Sequence, residues 1–295
     1  MSIKYHVIVP ERREGEASTS LRQSLMEQSI GEEQYDVTYA DGSRGKKEGL
    51  RTAVANVRKG EAEDEWIVMT DADCTVANDW IEKLTDVDKD VVMVAGSVRV
   101  NKGESGFWRD LETVEWLSLQ SVTRMTFPMM CNGANLAVRR RVYEQYLAEG
   151  ADRQEYASGD DMFLLEYCKR KGKVAYKPEC VVETRGSESI GAFVRQRLRW
   201  AGKTGGYKDV KTILAALTVF GVNAALIALA SVGAWHVLLA AWGAKSVVDF
   251  IIIAQQARRF DQTNVMWCFP IAEALYPIYA VGIGLGAQLR RKRAW

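Results

Sequence analysis

Residues 66–73 read Trp66-Ile67-Val68-Met69-Thr70-Asp71-Ala72-Asp73, an apolar run that ends in two aspartates one residue apart. A short apolar run bounded by polar residues is typical of a strand buried in a parallel sheet. Ligands of open α/β sheets bind beyond the carboxyl ends of the strands. We therefore predict that Asp71 and Asp73 lie at a binding site; a chance pair of surface carboxylates is the alternative for so short a motif.

Strand-like and helix-like stretches alternate on both sides of this run. Residues 6–10, 37–39 and 91–98 also have strand character, and apolar residues recur at helical spacing between them. Such alternation predicts an α/β fold with a parallel, doubly wound sheet. Asp41 follows the second strand as Asp71 follows the third, so we expect the two to lie at the same edge of the sheet.

Composition excludes several classes of protein. The 295 residues include 39 Lys and Arg against 38 Asp and Glu, so no overall positive charge points to nucleic acid. The five cysteines form no CxxC pair, which favours unpaired thiols over a zinc site or disulfides. The first residues lead directly into a strand, unlike a signal peptide, so we expect the charged part of the chain to be cytoplasmic.

Beyond Lys211 charged residues nearly vanish. Residues 212–232 carry none, and two more apolar stretches cover residues 234–254 and 265–289. About 20 apolar residues suffice for a helix to cross a bilayer. We predict an integral membrane protein with a catalytic domain at 1–208 and a membrane region of two to three helices at 209–295. Buried helices of a soluble domain are the alternative.

Basic residues at the ends of these stretches predict the topology. Lys208 and Lys211 precede the first stretch and Arg258-Arg259 follows the second, which places the N-terminal domain in the cytoplasm by the positive-inside rule. The cluster at residues 290–293 would lie on the opposite side if the third stretch also spans. Whether the third stretch crosses the membrane is therefore left open.

Two further segments carry groups suited to chemistry. Asp160-Asp161, in the segment that begins at Ser158, opens a predicted helix, where a carboxylate can act as a base or simply favour the helix dipole. Residues 196–200 read Gln-Arg-Leu-Arg-Trp. Arginine offers a planar fork of donors for phosphate oxygens, although a basic stretch next to lipid headgroups is the alternative.

Taken in order, these segments resemble the D, DxD, (E/D)D and QxxRW motifs of family 2 glycosyltransferases. The resemblance runs from about Tyr5 to Lys203 and rests on Asp41, Asp71-Ala72-Asp73, Asp160-Asp161 and the segment from Gln196 to Trp200. It implies a GT-A fold followed by C-terminal transmembrane helices. Two weaker likenesses are Lys46, which resembles the family's lysine after the first nucleotide-binding loop, and Cys131–Asn135, which resembles its G-x-N segment.

The resemblance also implies roles for particular residues. It assigns Asp161 as the catalytic base; Asp41, Lys46, Asp71, Asp73, Gly133 and Asn135 to donor binding; and Asp160, Gln196, Arg197, Arg199 and Trp200 to the acceptor or diphosphate. Asp73 and Asp71 would hold Mg²⁺ or Mn²⁺, for which hard carboxylate oxygens are suitable ligands. Here Asp41-Gly42-Ser43 runs almost directly into Gly45-Lys46, so the segment between the first two motifs is shorter than the family's.

The expected function is transfer of one sugar, with inversion, from a nucleotide sugar such as a UDP-sugar to a lipid or glycan acceptor at the membrane. A processive polysaccharide synthase is the alternative within this class, and nucleotidyl transfer is a related one. A membrane binding or transport protein is the alternative from another class. Its support is Lys245 and Asp249, one helical turn apart within an apolar stretch, where charges are costly. We favour the simpler explanation, in which the two side chains form a mutual ion pair or reach toward the membrane interface.

Overall fold

The computed structural model describes residues 4–57, 65–101, 106–156 and 159–290. Ser158 and the basic residues Arg291, Lys292 and Arg293 lie outside the described residues. The chain forms two compact units. The sheet unit comprises Met1–Arg99 and Thr126–Arg185, and the helical unit comprises Val100–Met125 and Gly186–Trp295. The predicted domain boundary between residues 208 and 209 stays a prediction.

The described strands are β1 Tyr5–Glu11, β2 Tyr35–Asp41, β3 Trp66–Met69, β4 Cys74–Thr75, β5 Val91–Val100, β6 Leu136–Arg139 and β7 Lys173–Thr184. The described α-helices are α1 Thr19–Met26, α2 Lys46–Asn56, α3 Trp80–Thr85, α4 Phe107–Thr126, α5 Arg140–Ala148, α6 Asp160–Lys171, α7 Ile190–Gly202, α8 Val210–Ser231, α9 Trp235–Arg259 and α10 Phe269–Arg290.

The strands form one sheet in the order β2-β1-β3-β6-β5-β7-β4. β1 pairs in parallel with β2 and β3, which confirms the parallel pairing expected for the first three strands. The sheet as a whole is mixed, because β6, which was not predicted from the sequence, runs antiparallel to β3 and β5, and β4 runs antiparallel to β7. An apolar run reveals that a strand is buried but carries no information about its direction.

The sheet forms a dry core. Val7, Ile8, Ile67, Val68 and Met93 are fully buried side chains of β1, β3 and β5. Strands covered on two faces read as continuous apolar runs, as these do. Parallel pairing brings the carboxyl ends of β1, β2 and β3 to one edge of the sheet, with Glu11 in register with Asp41. The loop that carries Asp71 and Asp73 begins at this edge.

Among the described residues of the helical unit, three helices are long and apolar enough to cross a membrane. They cover Val210–Ser231, Trp235–Arg259 and Thr263–Leu289, and only 6% of the apolar stretch of the second is buried within the protein. Exposed apolar surface on this scale is unfavourable in water and expected in lipid. The described helices therefore confirm the three predicted segments and disfavour the alternative of helices buried in a soluble domain.

The charged residues inside these helices are mutually satisfied. The Lys245 ammonium lies 2.7 Å from Asp249 Oδ2, as the ion-pair interpretation predicts, and also 2.7 Å from Glu273 Oε1 on α10. Ser246 Oγ donates to the same Glu273 oxygen at 3.2 Å. The cluster joins α9 to α10, so a structural role accounts for these charges without a transport function.

Candidate active site

Asp71 and Asp73 lie in the turn that follows β3. The Thr184 hydroxyl donates to Asp73 Oδ2 at 3.3 Å, which connects this turn to the end of β7. Although solvent reaches Asp73, desolvation of its carboxylate by the surrounding protein and then the charge of Asp71 raise its pKa. Two acidic groups held this close make the turn a place where a cation is stabilised.

The Lys46 ammonium is a positive charge of the protein itself that lies next to these carboxylates. Lys46 is the first residue of α2, and its Nζ lies 2.6 Å from Asp71 Oδ1 and 3.9 Å from Asp160 Oδ2. Burial by itself would lower the pKa of this ammonium, but the charges of Asp71 and Asp160 outweigh that effect and raise it. The side chain therefore stays protonated while about a third of it, 35%, remains exposed to solvent.

The position of Lys46 depends on a close approach of α2 to β2. A Cβ atom added at Gly49 would lie 2.4 Å from the Asp41 carbonyl oxygen, which is too close for any residue other than glycine. The first turn of α2 is thereby held against the end of β2. The short link from Asp41 to Lys46, visible in the sequence, is what delivers the lysine to the site.

Asp160 and Asp161 form the first turn of α6, where the helix dipole favours negative charge. Asp161 Oδ1 accepts from the Met162 backbone N–H at 2.8 Å. Asp160 Oδ1 is buried and has no hydrogen-bond partner within the described structure. An unsatisfied buried acceptor is costly, so Asp160 retains capacity for a donor or a cation.

Lys46, Asp160 and Asp161 line a common cleft in the sheet unit. Its apolar wall comes from β1, β3, β6, α2 and α6, and the full lining is Pro10, Lys46, Leu50, Met69, Gly133, Leu136, Tyr143, Asp160, Asp161 and Leu164. A Cβ atom added at Gly133 would lie 3.7 Å from Lys46 Nζ and 3.6 Å from Asp161 Cβ. Gly133 thus lies directly beside the charged groups.

Asn135, which the family resemblance assigns to donor binding, is engaged in hydrogen bonds within the sheet unit. The residue is fully buried, and its Nδ2 donates to the carbonyl oxygens of Ser97 and Cys180 at 2.8 and 2.9 Å. Its Oδ1 accepts from Trp80 Nε1 at 3.0 Å. All its polar atoms are engaged inside the sheet unit, so its role in this structure is to support the strands beneath the cleft.

Asp41 ends β2 as predicted and is exposed. Its Oδ1 accepts from the Ser43 backbone N–H at 2.8 Å, and this bond lowers the pKa of Asp41. The carboxylate is therefore ionised at neutral pH. It is available as a hydrogen-bond acceptor at the same edge of the sheet as the turn after β3.

The segment from Gln196 to Trp200 lies on α7 in the helical unit, and its five residues do not share one environment. Arg197 is 3% exposed and forms two bonds to Glu115 of α4, from Nε to Oε1 at 3.0 Å and from Nη2 to Oε2 at 2.5 Å. The Trp200 ring packs edge-on against Trp116. Arg197 is thus buried in contacts within this unit, whereas Gln196, Arg199 and Trp200 are half-buried.

Several residues of these two environments were not predicted from the sequence. In the sheet unit they are Tyr143, which lines the cleft, and Thr184, which contacts Asp73; in the helical unit they are Glu115 and Tyr279. Tyr143 is buried, and the resulting desolvation, followed by the charge of Asp160, raises the pKa of its hydroxyl. In the sequence each of these residues is one polar side chain among several in its helix or strand, which is too common a pattern to identify a site.

The carboxylate oxygens of the cleft and of the turn after β3 are suitable ligands for a divalent cation. No group of three or more His, Cys, Asp or Glu side chains in the described residues is arranged as a ready-made metal site. The turn nevertheless offers the Asp71 and Asp73 carboxylates, and Asp160 Oδ1 is an unsatisfied oxygen in the cleft. Mg²⁺ and similar ions bind through one or two carboxylates and complete their coordination with substrate phosphates and water.

Comparison with known proteins agrees with this geometry. Among curated proteins, the N-acetylglucosaminyltransferase of Rhizobium meliloti (strain 1021) is 23% identical over 235 residues, covering 68% of this chain and 54% of the relative. The N-acetylglucosaminyltransferase of Rhizobium leguminosarum bv. viciae is 26% identical over 203 residues, covering 63% and 46%. The chain spans about half the length of the curated relatives it matches.

A solved structure shows the same fold. The mannosyltransferase PcManGT from Pyrobaculum calidifontis, in complex with GDP-Man and Mn²⁺, aligns with a TM-score of 0.52 at 14% identity and covers 98% of this chain and 86% of its own. A family model described as "Glycosyltransferase like family 2" matches residues 6–203, which is well over half of the 295 residues. The chain therefore belongs to that family, as its ordered motifs predicted.

Proposed function

We propose that this protein transfers a sugar from a nucleotide-sugar donor to a hydroxyl of a lipid or lipid-linked acceptor at the membrane surface. The observation that carries the proposal is the meeting of Lys46, Asp71, Asp160 and Asp161 around one cleft at the carboxyl edge of the sheet. This is the edge where open α/β sheets bind their ligands.

The donor that we propose is a UDP-sugar, with UDP-N-acetylglucosamine as the first candidate. The curated relatives, which are N-acetylglucosaminyltransferases, support this choice of sugar. Asp41 would accept a hydrogen bond from the base. Lys46 would exchange its bond to Asp71 for the negative oxygens of the diphosphate, for which a lysine is a common ligand.

Asp71 and Asp73 would hold Mn²⁺ or Mg²⁺ together with the donor phosphates. Bound there, the cation would offset the negative charge of the diphosphate leaving group. The Mn²⁺ in the related mannosyltransferase structure supports this choice of metal. Thr184 orients Asp73 by its hydrogen bond, so the protein keeps one ligand in place before the donor arrives.

Asp161 would take the proton from the attacking hydroxyl, and direct displacement would invert the anomeric carbon. Its place in the first turn of α6 favours the charged form that a base requires. Asp160 would lie beside it and receive the Lys46 ammonium or a donor hydroxyl. A positioned base of this kind contributes roughly 10²–10⁴-fold in rate.

The acceptor would come from the bilayer. Helices α8 to α10 are long and apolar enough to anchor the chain, and α7 with its proposed acceptor residues ends close before α8 in sequence. The basic residues Lys208, Lys211, Arg258 and Arg259 support a cytoplasmic location for the catalytic part by the positive-inside rule. Holding donor and lipid acceptor near each other would lower the entropic barrier to transfer.

The test is a donor panel. Purified full-length protein in detergent would be given Mn²⁺ and UDP-, GDP- and dTDP-sugars, and release of the nucleoside diphosphate would be measured with and without a bacterial lipid extract. We expect release from UDP-N-acetylglucosamine that rises when lipid is added and stops when the metal is chelated. If no member of the panel gives nucleoside diphosphate release, the proposal is refuted. If release does not change when lipid is added, a soluble acceptor is favoured.

A further inference from the structure

One carboxylate in the helical unit joins three helices. Glu115 of α4 accepts two bonds from Arg197 of α7, and its Oε1 also accepts from the Tyr279 hydroxyl of α10 at 2.9 Å. Arg197 is almost completely buried. The third apolar helix is therefore connected, through one acid, to the helix that carries the QxxRW segment.

Aromatic rings enclose the Arg197 guanidinium. It lies 4.3 Å from the ring centre of Phe193 and 4.4 Å from that of Trp200, and Trp116 contributes a third ring at 5.5 Å. Phe193 also stacks on Tyr279, with ring centres 5.8 Å apart. Such contacts between a cation and ring faces gain strength when water is excluded.

Because these contacts all lie on one face of α7, they fix the rotation of the helix about its own axis. At 3.6 residues per turn, Phe193, Arg197 and Trp200 share one face of the helix. Arg199 is two residues from Arg197 and therefore points about 160° away from it, on the opposite face. Gln196 lies at the flank, and its side-chain oxygen accepts a bond from Arg197. Any rotation that moves Arg199 must also break the buried contacts of Arg197.

We propose that Glu115 and Tyr279 are positioning residues for the transfer reaction, in which the family resemblance assigns Gln196 and Arg199 to the diphosphate and acceptor. They hold Arg197, and through it they fix the rotation of α7 and the directions in which Gln196 and Arg199 point. This role rests on the proposed function, because the family resemblance is what assigns Gln196 and Arg199 to those ligands. Helix α10 then has a part in catalysis in addition to anchoring the chain.

Folding alone does not require this arrangement. A buried ion pair can usually be replaced by apolar side chains of similar volume with little loss of stability, whereas removing one partner is strongly destabilising. A variant that replaces the whole cluster can therefore fold and yet lose the bonds that fix α7. This separates a positioning role from a structural one.

The variant is Glu115→Met/Arg197→Met/Tyr279→Phe in the full-length protein. Its matched control is Glu65→Met/Arg140→Met, which removes an ion pair of similar burial from the sheet unit, where Arg140 Nη1 lies 2.5 Å from Glu65 Oε2. The measurements are the dissociation constant of UDP-N-acetylglucosamine with Mn²⁺, kcat and KM for transfer to lipid extract, and the melting temperature.

We expect the triple variant to bind the donor within about threefold of wild type and to lose at least about tenfold in kcat, while the control retains both. An unchanged kcat, or equal losses in donor affinity and kcat, would overturn the positioning role. If the triple variant does not fold, Tyr279→Phe decides the matter, since it removes one hydroxyl and must lower kcat without changing donor affinity. Wild-type protein that neither binds nor transfers from the donor would instead overturn the proposed function.

Discussion

Asp73 is the single residue on which metal-dependent donor binding should depend most. Asp73→Asn keeps the shape of the side chain but removes the charge that a divalent cation requires, so we expect loss of Mn²⁺-dependent binding of UDP-N-acetylglucosamine in calorimetry. Asp88→Asn is the control, because its carboxylate forms only surface pairs with Lys173 and should bind the donor normally. Unchanged affinity in Asp73→Asn would exclude the metal role.

The same substitution should leave the fold intact. Desolvation and Asp71 raise the pKa of Asp73 above its unfolded value, so its ionisation at neutral pH slightly opposes folding. That cost begins to shrink as the pH falls through the raised pKa and is gone only below the ordinary pKa of an aspartate, 3.8. We therefore expect the melting temperature of metal-free Asp73→Asn at pH 7 to equal or slightly exceed that of wild type, and the difference to shrink steadily as the pH is lowered toward that value. A clear loss of stability at pH 7 would contradict this reasoning.

Asp161 should affect turnover rather than binding. In Asp161→Asn the hydrogen bond to the Met162 N–H can persist through the amide oxygen, but the proton acceptor is lost. We expect turnover to fall by roughly 10²–10⁴, the usual contribution of a general base. Donor affinity, measured by calorimetry on the same preparation, should stay within a few-fold. Retained turnover with weakened donor binding would reassign Asp161 as a binding residue.

At the scale of the helices, the cluster around Lys245 should determine how firmly α9 and α10 associate. Lys245→Met would leave Glu273, which is almost fully buried, together with Asp249 and no positive partner, and breaking such a pair costs roughly 3–5 kcal/mol. We expect a clearly lower melting temperature in detergent. Lys211→Met, an exposed lysine near the start of α8, is the control and should melt as wild type.

The complete substitution Lys245→Met/Asp249→Asn/Glu273→Gln distinguishes a structural cluster from a functional one. It removes all three charges together, so much of the lost stability should return. Transfer activity should return with it. Restored stability without activity would show that these charges have a function beyond joining the two helices, and a transport role would regain support.

At the scale of the whole molecule, the membrane region should be dispensable for donor binding but not for lipid transfer. A fragment that ends at Lys208 contains Asp41, Lys46, Asp71, Asp73 and Asp161. It lacks α8 to α10, and its α7 loses the partner surface of α10, including Tyr279. We therefore expect the fragment to need detergent, to bind the donor, and to lose most transfer to lipid at equal donor saturation. Equal rates would mean that the helices only localise the enzyme.

The sequence alone determined the features that depend on local pattern. Residues 66–69 are apolar in succession because β3 is covered on two faces, and the carboxylates that follow must then lie at the sheet edge. The three apolar stretches are equally local, since their length and lack of charge decide their helices. The ordered motifs, read together, predicted the family that the model match to residues 6–203 confirms.

Only the tertiary structure decided which distant groups meet. Lys46 reaches Asp71 across 25 positions of sequence, and Tyr279 reaches Glu115 across 164. Asn135 has the spacing of a donor ligand but is buried among strands, and β6, which was not predicted from the sequence, runs antiparallel to β3. Hydrophobic periodicity indicates that a side chain or strand is buried, but it does not indicate which residue the side chain contacts or in which direction the strand runs. Those follow from long-range packing, which no window of sequence includes.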